Sequence, residues 1–364
     1  MADSSSYVEL AQVWRGPVLE STHRGAVVVS GPDGGIRHAW GDLGLVTTPR
    51  SALKPFQAIA LVESGAADAY GLTDEHIAMA CASHHAQPFQ VALVGDWLAK
   101  LGLTESALIC GPALPKGEAD MASAFAHGGP RRIFHNCSGK HCGFLTVAAH
   151  LGAGLNYGDR DHPAQKLYMD VLSEFTRKDA SAFACGTDNC GLPAVGLSMM
   201  DMARAAARMA AGMGTTAPRR AAVRRVLGAM AAYPDHLSGL DEATARLIRG
   251  TEGKVLVKGG AEGYVVGFAR EYGIGVTVKV ADGSSRGKMG TMVRAMARAG
   301  VIPYAIADDL VAAVEPPIAD SNGNIVSTIE VPFQKPYTTP TKATLGFWMA
   351  GVPILEDMFK EKEY

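Results

Sequence analysis

The run VLVKGGAEGYVVGFA, Val255–Ala269, followed by YGIGVTVKVADG, Tyr272–Gly283, decides the fold. Valines recur in both pieces and glycines punctuate them, so they read as adjacent antiparallel strands. GKMGTMVRAMARAG, from Gly287, then returns to helical spacing. The other end of the chain repeats the strand signal. GAVVVSGPDGGIRHAW, Gly25–Trp40, places the turn residues PDGG between two apolar runs, which predicts a hairpin.

Between these ends the pattern is mainly helical. CGFLTVAAHL, HPAQKLYMDVLSEFTRK, GLSMMDMARAAARMAA and PRRAAVRRVLGAMAAYP are helix candidates, and glycine-rich loops separate them. The expected fold is α/β (α+β): an antiparallel sheet made from residues 7–50 and 253–334, flanked by helices, with a mainly helical middle over 51–250. The whole chain reads as a single catalytic unit, with 335–364 as an atypical C-terminal extension.

Composition narrows the function. The 364 residues are 48% hydrophobic, enough for a large core. The formal net charge is −2 and no basic stripe occurs, which argues against a nucleic-acid partner. MADSSSYVEL lacks the basic and apolar regions of a secretory signal, and no apolar run reaches the ~18 residues of a membrane helix. A cytoplasmic protein without membrane association is expected. In that setting the six cysteines are more plausible as buried, metal-bound or reactive thiols than as disulfides.

Three dispersed segments carry candidate chemistry. In TPRSALKPFQAIAL, Thr48–Leu61, Ser51 and Lys54 stand three apart at the start of an apolar helix. That spacing puts them on one face, and a desolvated lysine can take a serine proton. On these four residues alone, a helix-capping serine with a snorkelling lysine is the stronger reading. Pro55 makes the first turn irregular under either reading. Ser83 in CASHH follows a buried segment, and Lys258 lies on the VLVKGG strand. The order S-x-x-K, loop serine, late-strand Lys-Gly is that of penicillin-binding proteins and serine β-lactamases, although the second and third elements differ from their motifs.

Two thiol loops form the fourth feature, HNCSGKHC (His135–Cys142) and CGTDNCGLP (Cys185–Pro193). Both are expected just before helices, whose N-termini favour thiolates. Their four cysteines allow a zinc site or merely buried thiols.

Taken together, RSALKP, CASHH, NCSGKH, GTDNCGLP and VKGGAEGY followed by GIGVTVKVADG resemble the class 3, or rhizobial-type, L-asparaginases. These blocks run from Arg50 to Gly283, in the family's order and spacing. The resemblance implies a serine β-lactamase-like fold and hydrolysis of L-asparagine to L-aspartate and ammonia. It implies the catalytic pairs Ser51–Lys54 and Ser83–Lys258, and a zinc ion on Cys137, Lys140 and Cys190 that positions substrate. Arg50, His141 and Asp188 become substrate-binding residues, and a homodimer is implied. Two departures stand out: the tail beyond 335 does not fit the family's C-terminus, and the segment around Asp241 lacks a cysteine that some members carry. Alternative readings are a glutaminase or related serine amidohydrolase, and a zinc or thiol sensor without catalysis. The Met-rich helix Leu197–Met213 is expected to pack in the core rather than at an interface.

Overall fold

The structure is a computed structural model and describes residues 7–334. The proposed C-terminal extension, 335–364, lies outside the described residues.

Strands β1 (Val8–Arg15), β2 (Val18–Ser30) and β3 (Ile36–Trp40) open the chain, and a short β4 (Val46–Thr47) ends this part. The β2–β3 turn is the hairpin PDGG foretells. Gly34 takes φ +85° and the Asp33 carboxylate accepts the Gly35 amide at 3.0 Å. A 3-10 turn, Arg50–Leu53, runs directly into α1 (Lys54–Glu63). Sequence spacing predicts one helix from Ser51. Pro55, which has no amide hydrogen, sits at the first turn of α1, so the α-helical ladder begins only after the tighter turn.

The helical body follows: α2 (Ala66–Ala69), α3 (Asp74–Ala80), α4 (Pro88–Lys100), α5 (Glu118–Ala126), α6 (Ser138–His150) and α7 (Pro163–Thr176). Then come a small hairpin of β5 (Cys185–Thr187) and β6 (Pro193–Val195), the short β7 (Leu197–Ser198), and helices α8 (Met199–Ala210), α9 (Ala217–Ala232) and α10 (Ala243–Gly250). The chain re-enters the sheet with β8 (Val255–Gly259), β9 (Tyr264–Ala269) and β10 (Ile274–Val280). It continues through α11 (Lys288–Arg298), α12 (Tyr304–Val314), β11 (Ile318–Ala319) and β12 (Ile325–Glu330).

The sheet runs β11-β12-β1-β2-β10-β9-β8, with β3 also on β2, and its pairings are antiparallel. Strands from both ends of the chain therefore meet at β2 and β10, where Val276 faces Val29 and Val278 faces Val27. All seven residues of β10 are buried. An antiparallel strand covered on one face would alternate; this one cannot, because helices cover both faces. A side chain at Gly275 would strike Ala207 of α8, whereas one at Gly267, on the opposite face, would strike Met292 and Met296 of α11. Met199, Met202 and Met209 of α8 are fully buried against the sheet, so this methionine-rich helix is core.

Helix α1 runs into the centre of the helical body. The Phe56 ring lies 5.7 Å from Phe175 of α7 and 6.1 Å from Phe268 of β9, tying helices to sheet. Among the described residues, no helix is long and apolar enough to cross a membrane.

Candidate active site

Three elements that are distant in sequence converge at the end of β8. Helix α1 brings Lys54, the segment after α3 brings Ser83, and β8 brings Lys258. The Lys258 Nζ donates to Ser83 Oγ at 2.9 Å and to the Gly259 carbonyl at 2.7 Å. The Lys54 Nζ donates to Ser83 Oγ at 3.1 Å, to the Asn136 carbonyl at 3.5 Å, and to the Ala82 carbonyl. Ser83 thus bridges two buried amines. Its backbone is pinned by an amide bond to the Leu237 carbonyl at 2.8 Å, and its neighbour His84 bonds the Asn136 carbonyl at 3.1 Å.

Burial lowers the pKa of Lys54. Burial, then the charge of Lys54, holds Lys258 well below the usual lysine value. Both amines are thus drawn toward neutrality, and a neutral Nζ can accept a hydroxyl proton. His84 takes no part in this exchange. Its Nδ1 accepts the Ala86 amide at 3.0 Å, so its other nitrogen carries the hydrogen and donates to Ser138 Oγ at 2.7 Å. Burial pushes its pKa down to about 3.

Ser51 lies on the wall of the same cavity, and its hydroxyl makes no hydrogen bond among the described residues. The one-face argument predicts Lys54 against Ser51; in the structure the amine turns to Ser83 instead. Carbonyls of Ala82 and Asn136 surround that position, and these acceptors satisfy the amine's N–H groups better than one hydroxyl does. Just before Ser51, Arg50 adopts φ +50°, the left-handed region that a branched side chain avoids. The tight approach of these two segments also explains Gly260: a Cβ there would sit 2.3 Å from the Pro49 carbonyl oxygen. The Gly260 amide is bonded to Tyr264 O at 2.8 Å, so it is not free to hold an oxyanion.

Arg50 and Asp188 come together. Arg50 Nη2 and Nε donate to the same carboxylate oxygen, Asp188 Oδ1, at 2.7 and 3.1 Å. The pair places a guanidinium and a carboxylate side by side on the cavity wall, a complement to the carboxylate and ammonium of an amino acid. His141 does not reach the cavity. It is fully buried, its Nδ1 lies 2.8 Å from Tyr157 Oη, and its Nε2 has no partner among the described residues.

The CGTDNCGLP loop is not a helix start, contrary to its sequence reading. It is the turn of the β5–β6 hairpin, closed by Asp188 N to Leu192 O and Gly191 N to Asp188 O, both 2.8 Å, with Gly191 at φ +85°. Cys137, in contrast, is the N-cap residue of α6. Cys137, Cys190 and Lys140 are buried together. Lys140 Nζ donates to Cys190 Sγ at 2.9 Å. A hydrogen bond from Cys190, then the charges of Lys54 and Lys140, hold the Cys137 thiol well below its usual pKa despite burial. Burial would lower Lys140, but the two sulfurs outweigh it and raise its pKa.

Among the described residues there is no trio of His, Cys, Asp or Glu that could hold a metal. Two thiols and one amine nevertheless converge, sharing protons that a dication would displace. Both cysteines also line the cavity. Soft sulfur plus nitrogen, with one side open, is a donor set that fits zinc. Cys142 is buried elsewhere in α6, where burial raises its pKa, and it takes no part in this cluster.

The cavity over these groups measures about 880 Å³. Its outer wall carries residues that sequence reasoning missed: Lys116, His85, Glu242, Lys288 and Glu315. They belong to no shared motif, so only folding collects them.

A sequence model of the L-asparaginase II family matches residues 11–331. No curated protein matches the chain by sequence. Solved structures similar to it include Mglu in its native form, with a TM-score of 0.43 at 15% identity, covering 77% of this chain and 65% of that one. Mglu in its L-glutamate binding form gives 0.44 at 15%, covering 76% and 60%. A β-lactamase from Mycobacterium bovis gives 0.40 at 13%, covering 76% and 95%. The chain thus spans less than two thirds of the length of these Mglu chains, and likenesses of this size say nothing about substrate. The family match covers most of the chain, which therefore belongs to the L-asparaginase II family.

Proposed function

We propose that this family member hydrolyses L-asparagine to L-aspartate and ammonia through a serine–lysine network. One observation carries the reading: the unbroken chain Lys54–Ser83–Lys258 opens onto a cavity that also presents Ser51 and the Arg50–Asp188 pair. The substrate's α-carboxylate pairs with Arg50 and its α-ammonium with Asp188, which sets the side-chain amide before the serines.

Ser51 attacks the amide carbon. Its proton passes to Lys54, whose amine rotates from Ser83 toward the turn that carries it. The Ser51 Oγ–C bond forms and the carbonyl becomes an oxyanion. Lys54 then returns that proton through Ser83 and the neutral Lys258 to the amide nitrogen, the C–N bond breaks, and ammonia leaves. A water then attacks the aspartyl ester, gives its proton to a neutral lysine, and releases aspartate with Ser51 restored. A second reading, in which Ser83 attacks with Lys258 as base, is favoured by their 2.9 Å contact.

Cys137, Lys140 and Cys190 would hold a zinc ion between the α6 N-terminus and the β5–β6 turn. Bound there, zinc supplies a fixed positive charge beside the Arg50–Asp188 pair. The protein residues fix both loops around the substrate. A cytoplasmic location, where such thiols stay reduced, and a homodimer belong to the same proposal; light scattering of the purified protein tests the dimer.

The test of substrate is ammonia release from L-asparagine and L-glutamine side by side. The proposal expects asparagine to be preferred by about ten- to a hundredfold in kcat/KM, the scale at which one methylene is read. A preference for glutamine would move the assignment to a glutaminase. Mapping the acyl group after acid quench decides the nucleophile: a mass increment on the Ser51 peptide supports the first reading and one on the Ser83 peptide the second.

A further inference from the structure

The outer wall of the cavity holds a cation with no assigned use. Lys288 opens α11 directly beside the end of β8, and a side chain at Gly259 would begin 3.9 Å from its Nζ. Gly259 is the residue whose carbonyl holds Lys258. Lys288 Nζ has no hydrogen bond or ion pair among the described residues. Of the carboxylates around it, Glu315 bears on Lys288 through its charge without forming an ion pair, and each has other partners. Glu315 accepts the Met289 and Gly290 amides at 3.0 Å, Glu242 pairs with His85 at 3.1 Å, and Asp241 pairs with Arg246 at 2.9 Å. Lys116 reinforces the positive charge, with its Nζ 3.1 Å from His85 Nε2 on the same cavity wall.

The cavity lining therefore offers two cationic groups. Arg50 with Asp188 forms one, near the thiol cluster. Lys288 with Lys116 forms the other, and Ser83 and Lys258 line the same cavity. A free amino acid uses only the first. The volume, about 880 Å³, falls in the range of pockets that enclose drug-sized ligands, roughly 300–1,000 Å³.

Resting on the amidohydrolase reading above, we propose that the site also cleaves amides whose leaving amine bears a carboxylate, β-aspartyl-linked amino acids being the simplest. The aspartyl half occupies the Arg50–Asp188 end and the carboxylate of the leaving half pairs with Lys288. The chemistry is that of asparagine hydrolysis. The serine oxygen bonds to the β-carbonyl carbon, and the C–N bond breaks as the nitrogen takes a proton. The departing molecule is an amino acid instead of ammonia, and water hydrolyses the ester to aspartate.

The test compares β-aspartylglycine with β-aspartylglycinamide, which differ only in that carboxylate, and includes L-asparagine as a control. The free acid should be cleaved with a kcat/KM about tenfold or more above the amide, the size of one charge-assisted hydrogen bond. Lys288→Met should reduce that ratio to about one, and Lys288→Arg should restore most of it. Equal rates on acid and amide, or a ratio that Lys288→Met leaves intact, would overturn the second anionic subsite. If asparagine releases ammonia but neither dipeptide is cleaved, this inference fails while the asparaginase reading stands. If the dipeptide acid is cleaved and asparagine is not, the inference stands and the asparagine assignment falls.

Discussion

Lys54 and Lys140 are both buried lysines on helices, yet their surroundings push them in opposite directions. Around Lys54 lie carbonyl oxygens, a hydroxyl and the charge of Lys140; burial prevails over the raising effect of the Cys137 sulfur, and the amine is drawn toward neutrality. Around Lys140 lie two sulfurs, and together they outweigh burial to keep the proton bound. Burial alone does not make a base; the partners decide. On the proposed reading, the first region moves protons and the second holds a charge that a metal would displace.

The largest effect that separates the two regions should come from Ser51→Ala. Loss of the nucleophile is expected to cost kcat about 10³-fold or more while leaving zinc content unchanged, measured by ammonia release and elemental analysis. A loss of zinc in that variant would show that the regions are not independent.

Next comes Lys258→Met, expected to lower kcat by about 10²–10⁴-fold, the range for a positioned acid–base group. On the proposed mechanism the same lysine sets the pH dependence: its neutral form is the active one, and burial holds its pKa well below the usual lysine value. Activity should therefore be present at alkaline pH and fall as pH drops through that lowered value. The acid limb of kcat/KM should lie below ~10.4, the value of a free lysine. A limb at or above that value would mean the burial of Lys258 does not tune it.

Cys190→Ser should act on the other region. It should abolish zinc binding and raise KM by about 10–100-fold, with a much smaller change in kcat. A kcat collapse at saturating substrate would place the metal in the chemistry. The smallest effect is structural. Gly260→Ala forces a methyl against the Pro49 carbonyl oxygen and should cost about 1–3 kcal/mol of stability in urea unfolding.

Much of this layout was legible in the sequence because it rests on local pattern. The β-branched runs around Val257 and Val278 announced strands, PDGG announced its hairpin, and S-x-x-K with a late Lys-Gly-Gly announced a lysine-rich site. What sequence spacing could not supply was direction. The i, i+3 rule placed Lys54 over Ser51, but carbonyls contributed by residues 82 and 136 draw its amine to Ser83. No local pattern encodes those acceptors. The CGTDNCGLP loop misled for a similar reason, since its glycines serve equally for a helix start or a tight hairpin turn, and pairing with Pro193–Val195 settles which. Lys288 was invisible as a cavity residue because only the packing of α11 beside β8 brings it there.

The most direct test measures ammonia release from L-asparagine by the wild-type protein and by the Ser51→Ala/Ser83→Ala double variant at alkaline pH. The account predicts sustained turnover, with one aspartate formed per ammonia, in the first, and no rate above background in the second. No ammonia from the wild type, or undiminished release without both hydroxyls, would contradict it.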